Sequence, residues 1–392
     1  MIREVFWLRS LACLCVVLIH AISMTIYSTF GETDVSLEKK VWDSALLLLM
    51  FATPLFVFLS EFLASASQTR KSVGQFLGSR IKYILVPFLA MSVCYALLTS
   101  IAGERTLSQF ADQLVANLFL GKFHGYFLLI LFQFFLLHVC FDRYQHRLSW
   151  RWVLPAAFLV NAVYLGFFSF VRSFDDPLSE YQTWWLPFPG WLFYFCLGYY
   201  GGRHYADVQK LLDRYKHRIW LATLVLGCGM LMLYHSGIIT LQSSKRIDVL
   251  LFASGMIASL FAFVQRFRQV PRLLGTISEY SFSIYLLHIF FLMCIQKMLT
   301  MWQPVALPPL LTLIVLFVGS VLLSIAAARL LHKFSLAAYV IGKPGVPLPK
   351  EPSNDSFGRR EQTSEGLEEW GGAQERGGEI AAAGKRPNGQ AG

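Results

Sequence analysis

The sequence predicts an all-α, polytopic membrane protein of about ten transmembrane helices, with both termini cytoplasmic and a disordered C-terminal tail. Three observations predict it. The 392 residues are 55% hydrophobic and 15% charged, with a mean hydropathy of +0.51, whereas soluble domains carry about 25% charged residues. The apolar residues collect in runs of about 18 or more, the length that crosses the hydrocarbon of a bilayer as a helix. The formal charge of +10 is sorted by loop: with the N-terminus inside, four inner loops hold fifteen Lys and Arg and five outer loops hold seven, an asymmetry that puts both termini in the cytoplasm. From Lys343 onward seven basic residues meet eight acidic ones, so the positive excess belongs to the membrane part. No basic patch is interleaved with aromatics on a soluble stretch, which argues against nucleic acid as a partner.

The first apolar run, residues 6–27, follows Arg3 as the core of a signal peptide would. Arg9 breaks the run, however, its length exceeds an h-region, and no small-residue cleavage site follows, so it is read as a retained first helix. The second span, residues 41–64, contains Pro54 and should kink there. A basic loop with Arg70, Lys71, Arg80 and Lys82 leads to the third span, 83–101, with Pro87 in its tolerant first turns. Leu107, Phe110, Leu114 and Leu118 recur at helical spacing and predict an amphipathic helix at the membrane interface. The fourth and fifth spans, 126–141 and 152–171, flank Arg143, His146, Arg147 and Arg151. An acidic loop with Asp175, Asp176 and Glu180, rich in interfacial tryptophans, precedes a short sixth span at 189–200. Arg203, Lys210, Arg214, Lys216 and Arg218 then read as an inner loop, and spans seven to ten fall at 219–234, 249–264, 280–298 and 307–331. Residues 1–342 therefore form the transmembrane domain. Residues 343–392, with few apolar side chains, cannot bury enough surface to fold and read as a cytoplasmic tail. The seven cysteines lie in apolar runs without zinc spacing, so neither a disulfide framework nor a metal site is expected.

Ionisable residues inside apolar spans are costly and usually face a cavity or a partner. Arg9 and His20 are separated by close to three helical turns, which puts both on one face about 16 Å apart. Arg9 and Arg80 fall at the cytoplasmic end, where two guanidinium groups suit a phosphate-bearing ligand; each also fits a basic interfacial anchor. His20 is placed either to move a proton near neutral pH or to bond a neighbouring helix. His288 shares a helix face with Tyr285 and carries the same two readings, chemistry or helix packing. Glu61, near the end of the second span, is expected to pair with Arg9 or Arg80. His124, before the fourth span on the outer side, reads either as a contact to a sugar or as an interfacial residue. His138, His146, His204, His217 and His332 read as loop or helix-end positions, and no GxSxG, HExxH, P-loop or GxGxxG motif stands in a suitable context.

Arg9 and His20 within FWLRSLACLCVVLIHAI resemble the first helix of the membrane-bound acyltransferase 3 family. TPLFVFLSEFLAS and FLGSRIKYILVPF resemble its second helix and the basic start of its third. GKFHGYFLLILFQFFLL is similar to its fourth-helix region, and SEYSFSIYLLHIFF resembles its late Tyr-Ser-Phe…Tyr-Leu-Leu-His signature. The resemblance covers residues 4–335. It departs at Glu61, where many members have glycine, and at Tyr83, where members often carry a second arginine. It implies transfer of an acyl group, acetyl or succinyl, from an acyl-CoA donor to a carbohydrate hydroxyl of a cell-surface polysaccharide or glycolipid. No permanently bound cofactor is expected. On this reading Arg9 and Arg80 hold the coenzyme A phosphates and His20 is the base, with Arg9 and His288 in the same catalytic group. His124, Tyr285 and Glu61 meet the acceptor. The LRxxAxxxVVxxH pattern is similar to that of proteins that modify poly-N-acetylglucosamine-type exopolysaccharides. The expected setting is the bacterial plasma membrane, with membrane lipids and polysaccharide synthase components as partners. The rival reading is an exporter of a polysaccharide or lipid-linked sugar, which intramembrane His and Arg would serve equally well.

Overall fold

A computed structural model describes residues 2–31, 34–67, 72–103, 106–171, 186–302 and 307–348. The chain folds as α1 (Arg3–Thr29), α2 (Leu37–Leu48), α3 (Ala52–Ala66), α4 (Val73–Arg80), α5 (Val86–Ala102), α6 (Leu107–Phe119) and α7 (Tyr126–Tyr144). Then follow α8 (Trp150–Gly166), α9 (Leu192–Arg203), α10 (Tyr205–His235), α11 (Ile247–Val264), α12 (Arg272–Trp302), α13 (Pro309–Leu331) and the short α14 (Ala337–Val340). Among the described residues, nine stretches are long and apolar enough to cross a membrane, and the chain is a multi-pass membrane protein. The remaining predicted span, the sixth, is α9, 12 residues preceded by a 3₁₀ turn at Phe188–Trp191. Arg70, Lys71, the acidic loop around residues 175–185 and the tail after residue 348 lie outside the described residues.

Local chemistry explains where the elements differ from expectation. The kink expected at Pro54 is a break at Leu49–Phe51, and Pro54 sits in the first turn of α3, where its missing N–H removes no helical bond. The third span starts at Val73 rather than at residue 83, because Ser72 and Gln75 form a reciprocal capping box that satisfies the first free N–H groups. Arg80 and Lys82 are therefore helical, and a π turn at Ile81–Leu85 joins α4 to α5. Thr106 and Gln109 cap α6 in the same way. The basic stretch after Arg203 is not a loop either. It forms the first turns of the 31-residue α10, since Lys, Arg, Gln and Leu are good helix formers. Tyr205 and Gln209 tie it to Glu4 of α1 through hydrogen bonds of 2.9 and 3.4 Å.

The outer helix faces are apolar, and the interior mixes large apolar side chains with small and polar ones. On α13, Leu310, Ile314, Val318 and Leu322 are exposed at a spacing of four, while Thr312, Ser320, Ser324 and Ala328 are buried. Lipid is as apolar as leucine, so packing between spans relies on small residues and hydrogen bonds. Gly198 and Gly202 show this for α9. A Cβ at either position would come within 2.5 Å of a backbone carbonyl of α3, that of Phe58 or Phe62. The pair thus allows a backbone approach that holds a short helix inside the bundle. α1 packs against α3, α12 and α13, so Arg9 and His20 face the interior. The chain remains part of the same compact unit through Pro347.

Candidate active site

Two cavities approach each other along α1. The first, about 350 Å³, is lined by Arg9, Arg80, Tyr83, Glu279, Tyr285 and Lys343 among others. Arg80 leaves α4 where the π turn begins, and its guanidinium lies over the rings of Phe76 and Phe135 at 5.1 and 4.8 Å. Among the described residues no carboxylate lies within ion-pairing distance of Arg9 or Arg80, and Arg80 Nε is buried with no hydrogen-bond partner. Other buried charges in the bundle are satisfied. Asp43 is held by Lys39 and Gln242, and Arg246 by Asp248 and the Leu241 carbonyl. Two unpaired cations on a cavity wall are therefore the exception, and they suit a ligand that brings negative charge.

The second cavity, about 540 Å³, is lined by His20, His124, Tyr95, Thr99, Gln113, Asn117, Lys122 and Lys245. Its wall sets the Thr99 hydroxyl, the Gln113 and Asn117 amides and the lysines among aromatic and aliphatic side chains, and Asn117 donates to the Ser92 carbonyl at 3.1 Å while accepting from Gln113 at 2.9 Å. Gly121, at φ +62°, takes a turn that side chains disfavour and leads the chain to His124. Loss of solvation, and next the neighbouring His20, push the His124 imidazole down to about 3, so this loop histidine is neutral at physiological pH.

Three imidazoles cluster at the second cavity, His20 and His124 on its wall and His288 behind them. The ring centroid of His288 lies 5.2 Å from that of His20 and 5.3 Å from that of His124. Tyr285 lies 5.6 Å from His124 and 6.1 Å from His288, and its hydroxyl donates to the His124 backbone carbonyl. Tyr285 lines the first cavity and His124 the second, so this bond forms part of the partition. His288 is fully buried. Its Nδ1 lies 3.0 Å from the Ile284 carbonyl, a contact that requires Nδ1 to carry the proton. The other nitrogen, Nε2, is left as a buried lone pair without a partner, and Nε2 of His124 is likewise unpartnered. An unsatisfied buried polar atom is unfavourable by roughly 1–3 kcal/mol, and His288 carries one beside the two imidazoles that line the second cavity.

The structure brings together His20, His124, Tyr285 and His288, and it places Arg9 and Arg80 on one cavity. It does not bring Glu61 to either cavity. Glu61 is buried against α7 and paired with His138 Nδ1 at 2.6 Å, so its expected pairing with Arg9 or Arg80 is corrected. The reason is geometric: Glu61 faces α7, and Arg80 is separated from the pair by Phe76, which stacks on His138 at 5.0 Å. His138, read as a helix-end residue, is that missed partner; its place within an apolar run was the available signal. Tyr95 was also missed. Its hydroxyl donates to the Leu286 carbonyl at 3.0 Å and accepts the Phe290 N–H at 3.1 Å, the two groups that an uninterrupted α-helix joins to each other. Tyr95 thus opens α12 at the turn that carries His288.

The model of an acyltransferase domain, that of the acyltransferase 3 family, matches residues 2–329. A Bacillus subtilis (strain 168) protein whose name assigns it as a membrane-bound acyltransferase is 39% identical over 356 residues, covering 89% of this chain and 97% of that protein. A Staphylococcus aureus (strain Mu50) protein whose name assigns it to poly-β-1,6-N-acetyl-D-glucosamine export is 26% identical over 348 residues, covering 87% and 95% of the two chains. A Staphylococcus epidermidis protein named in the same way is 29% identical over 359 residues. No solved structure matches the chain significantly. With the family match spanning every element that builds the two cavities except the Lys343 segment, the chain belongs to the acyltransferase 3 family of membrane acyltransferases.

Proposed function

We propose that this membrane acyltransferase moves an acetyl or succinyl group from acyl-CoA to a carbohydrate hydroxyl of a cell-surface polysaccharide or glycolipid in the bacterial plasma membrane. The observation that carries the reading is an imidazole cluster at a cavity that also offers amides and a hydroxyl, beside a cavity with two arginines that lack ion-pair partners among the described residues. Arg9 and Arg80 bind the phosphates of the donor, and the thioester reaches inward past Tyr285. The acceptor enters from the second cavity, where Gln113, Asn117, Thr99 and His124 offer the donors and acceptors that sugar hydroxyls need. His20 takes the proton of the attacking hydroxyl as a C–O bond forms at the thioester carbonyl. The C–S bond breaks, and the proton passes to the departing thiolate. The roughly 16 Å along α1 between Arg9 and His20 separates the phosphates from the thioester in the manner this chemistry requires. Both termini lie in the cytoplasm, which puts the arginine cavity on the side where acyl-CoA is made.

The test is incubation of membranes containing the protein with radiolabelled acetyl-CoA or succinyl-CoA and a poly-N-acetylglucosamine acceptor. Label in the polysaccharide is the expected result; none with either donor overturns the reading. The names of the staphylococcal relatives favour a second reading, export of such a polymer. Uptake of acceptor by inverted vesicles without any thioester would support export in place of transfer. Polysaccharide synthase components are the expected neighbours under either reading.

A further inference from the structure

We propose that Lys343, carried on a strap that follows the last span, is a third cation for the phosphates of the acyl donor. The inference rests on the donor reading above and extends it to a segment beyond residue 329, where the family match ends.

After α13 the chain folds back across the mouth of the arginine cavity. The ring nitrogens of His332 lie 2.7 and 2.9 Å from the carbonyl oxygens of Ala328 and Gly342, which pins the returning strap to the end of α13. Ile341 is buried, and its carbonyl accepts the Ser283 hydroxyl of α12 at 3.0 Å. Gly342 turns the chain at φ +77°, and a Cβ there would lie 2.0 Å from the Phe282 ring, so only glycine permits this path. Gly345 N–H donates to the Glu279 carbonyl at 2.7 Å. The strap is therefore fastened on both sides of Lys343.

That fastening delivers two residues to the cavity wall, Lys343 and Gly345. A Cβ on Gly345 would stand 3.2 Å from Arg9 Nη1, so the strap runs directly over the Arg9 guanidinium. Lys343 Nζ sits 5.6 Å from the centre of the Tyr83 ring, and Tyr83 lines the same cavity beside Arg80. Three cations, Arg9, Arg80 and Lys343, thus face one acid, Glu279, in this cavity. The balance selects a polyanion. A donor with several phosphates has enough oxygens to engage all three cations, with lysine acting as a point charge beside the forked guanidinium groups.

The test uses the purified full-length protein in detergent and the unreactive analogue desulfo-CoA, with binding read by calorimetry and transfer by kcat and KM. Lys343→Ala should weaken binding about tenfold, the usual scale for one hydrogen bond to a charged group. It should raise KM for acetyl-CoA similarly and leave kcat unchanged, and Lys343→Arg should restore binding. KM for acetyl-pantetheine, which lacks the phosphates, should not move. Gly342→Ala, which unseats the strap without altering a charge, should give the same loss for desulfo-CoA. Unchanged desulfo-CoA affinity in Lys343→Ala, with the unaltered protein still binding it, overturns the role of the strap. Failure of the unaltered protein to bind desulfo-CoA overturns instead the donor reading on which it rests.

Discussion

The two cavities reached from α1 differ in the polar groups they carry. The first is smaller, about 350 Å³, and its polarity is charge: Arg9, Arg80 and Lys343 against Glu279. The second is larger, about 540 Å³, and sets two lysines, Lys122 and Lys245, among amides, hydroxyls and imidazoles. Arg9 and Arg80 lack an ion-pair partner among the described residues and suit an anion, whereas His124 and His288 each keep a buried ring nitrogen without a partner. Under the proposed function the charged substrate binds at one end and the proton moves at the imidazoles, with the Tyr285–His124 contact between the two cavities. One helix serves both: α1 places Arg9 and His20 on the same face, three turns apart.

The largest effect that sharpens this comparison is at the centre. His288→Ala should lower kcat by about 10²-fold or more, within the range typical of an acid–base group, with KM for acyl-CoA unchanged; steady-state assays in membranes check this. A rise in donor KM instead would show that the imidazoles belong to the binding end. The Glu61–His138 pair comes next. Glu61→Leu leaves His138 buried alone and should lower stability by about 3–5 kcal/mol, while Glu61→Leu with His138→Leu should recover most of it. Thermal unfolding in detergent followed by size-exclusion fluorescence measures both. Because the pair lines neither cavity, the double variant should keep donor KM within a few-fold of the unaltered protein. The smallest of these effects lies at the charged end. Arg9→Ala and Arg80→Ala should each raise donor KM about 10- to 100-fold, as loss of charge-assisted hydrogen bonds does, and change kcat far less.

Much of the membrane architecture was legible because the bilayer forces it: a span needs about 20 apolar residues, and a polar one inside it must be satisfied or used. That logic singles out Arg9 and His20 on α1 and His288 on α12, and the structure sets His20 and His288 side by side. The same logic singles out Glu61 as a costly acid but gives the wrong partner, because sequence spacing reports which residues share a helix face and not which helices touch. Tyr95 was hidden for another reason. A tyrosine in an apolar helix resembles a filler until its hydroxyl is found between Leu286 and Phe290. The start of α10 was masked by charge, since a basic stretch reads as a loop when it is equally a solvated helix turn. Lys343 stood at the boundary where composition turns polar and the tail was read to begin. Its position over Tyr83 sets a cation beside the residue where the resemblance leads one to expect a second arginine.

The central claim is that α1 divides its labour, with donor phosphates at Arg9 and proton transfer at His20. Measuring kcat and KM for acyl-CoA in membranes carrying His20→Ala tests it most directly. The account predicts a kcat lowered by about 10²- to 10⁴-fold, with KM for the donor unchanged and the protein inserted at its usual level. Transfer retained at the original kcat, or a loss confined to donor KM, would contradict it.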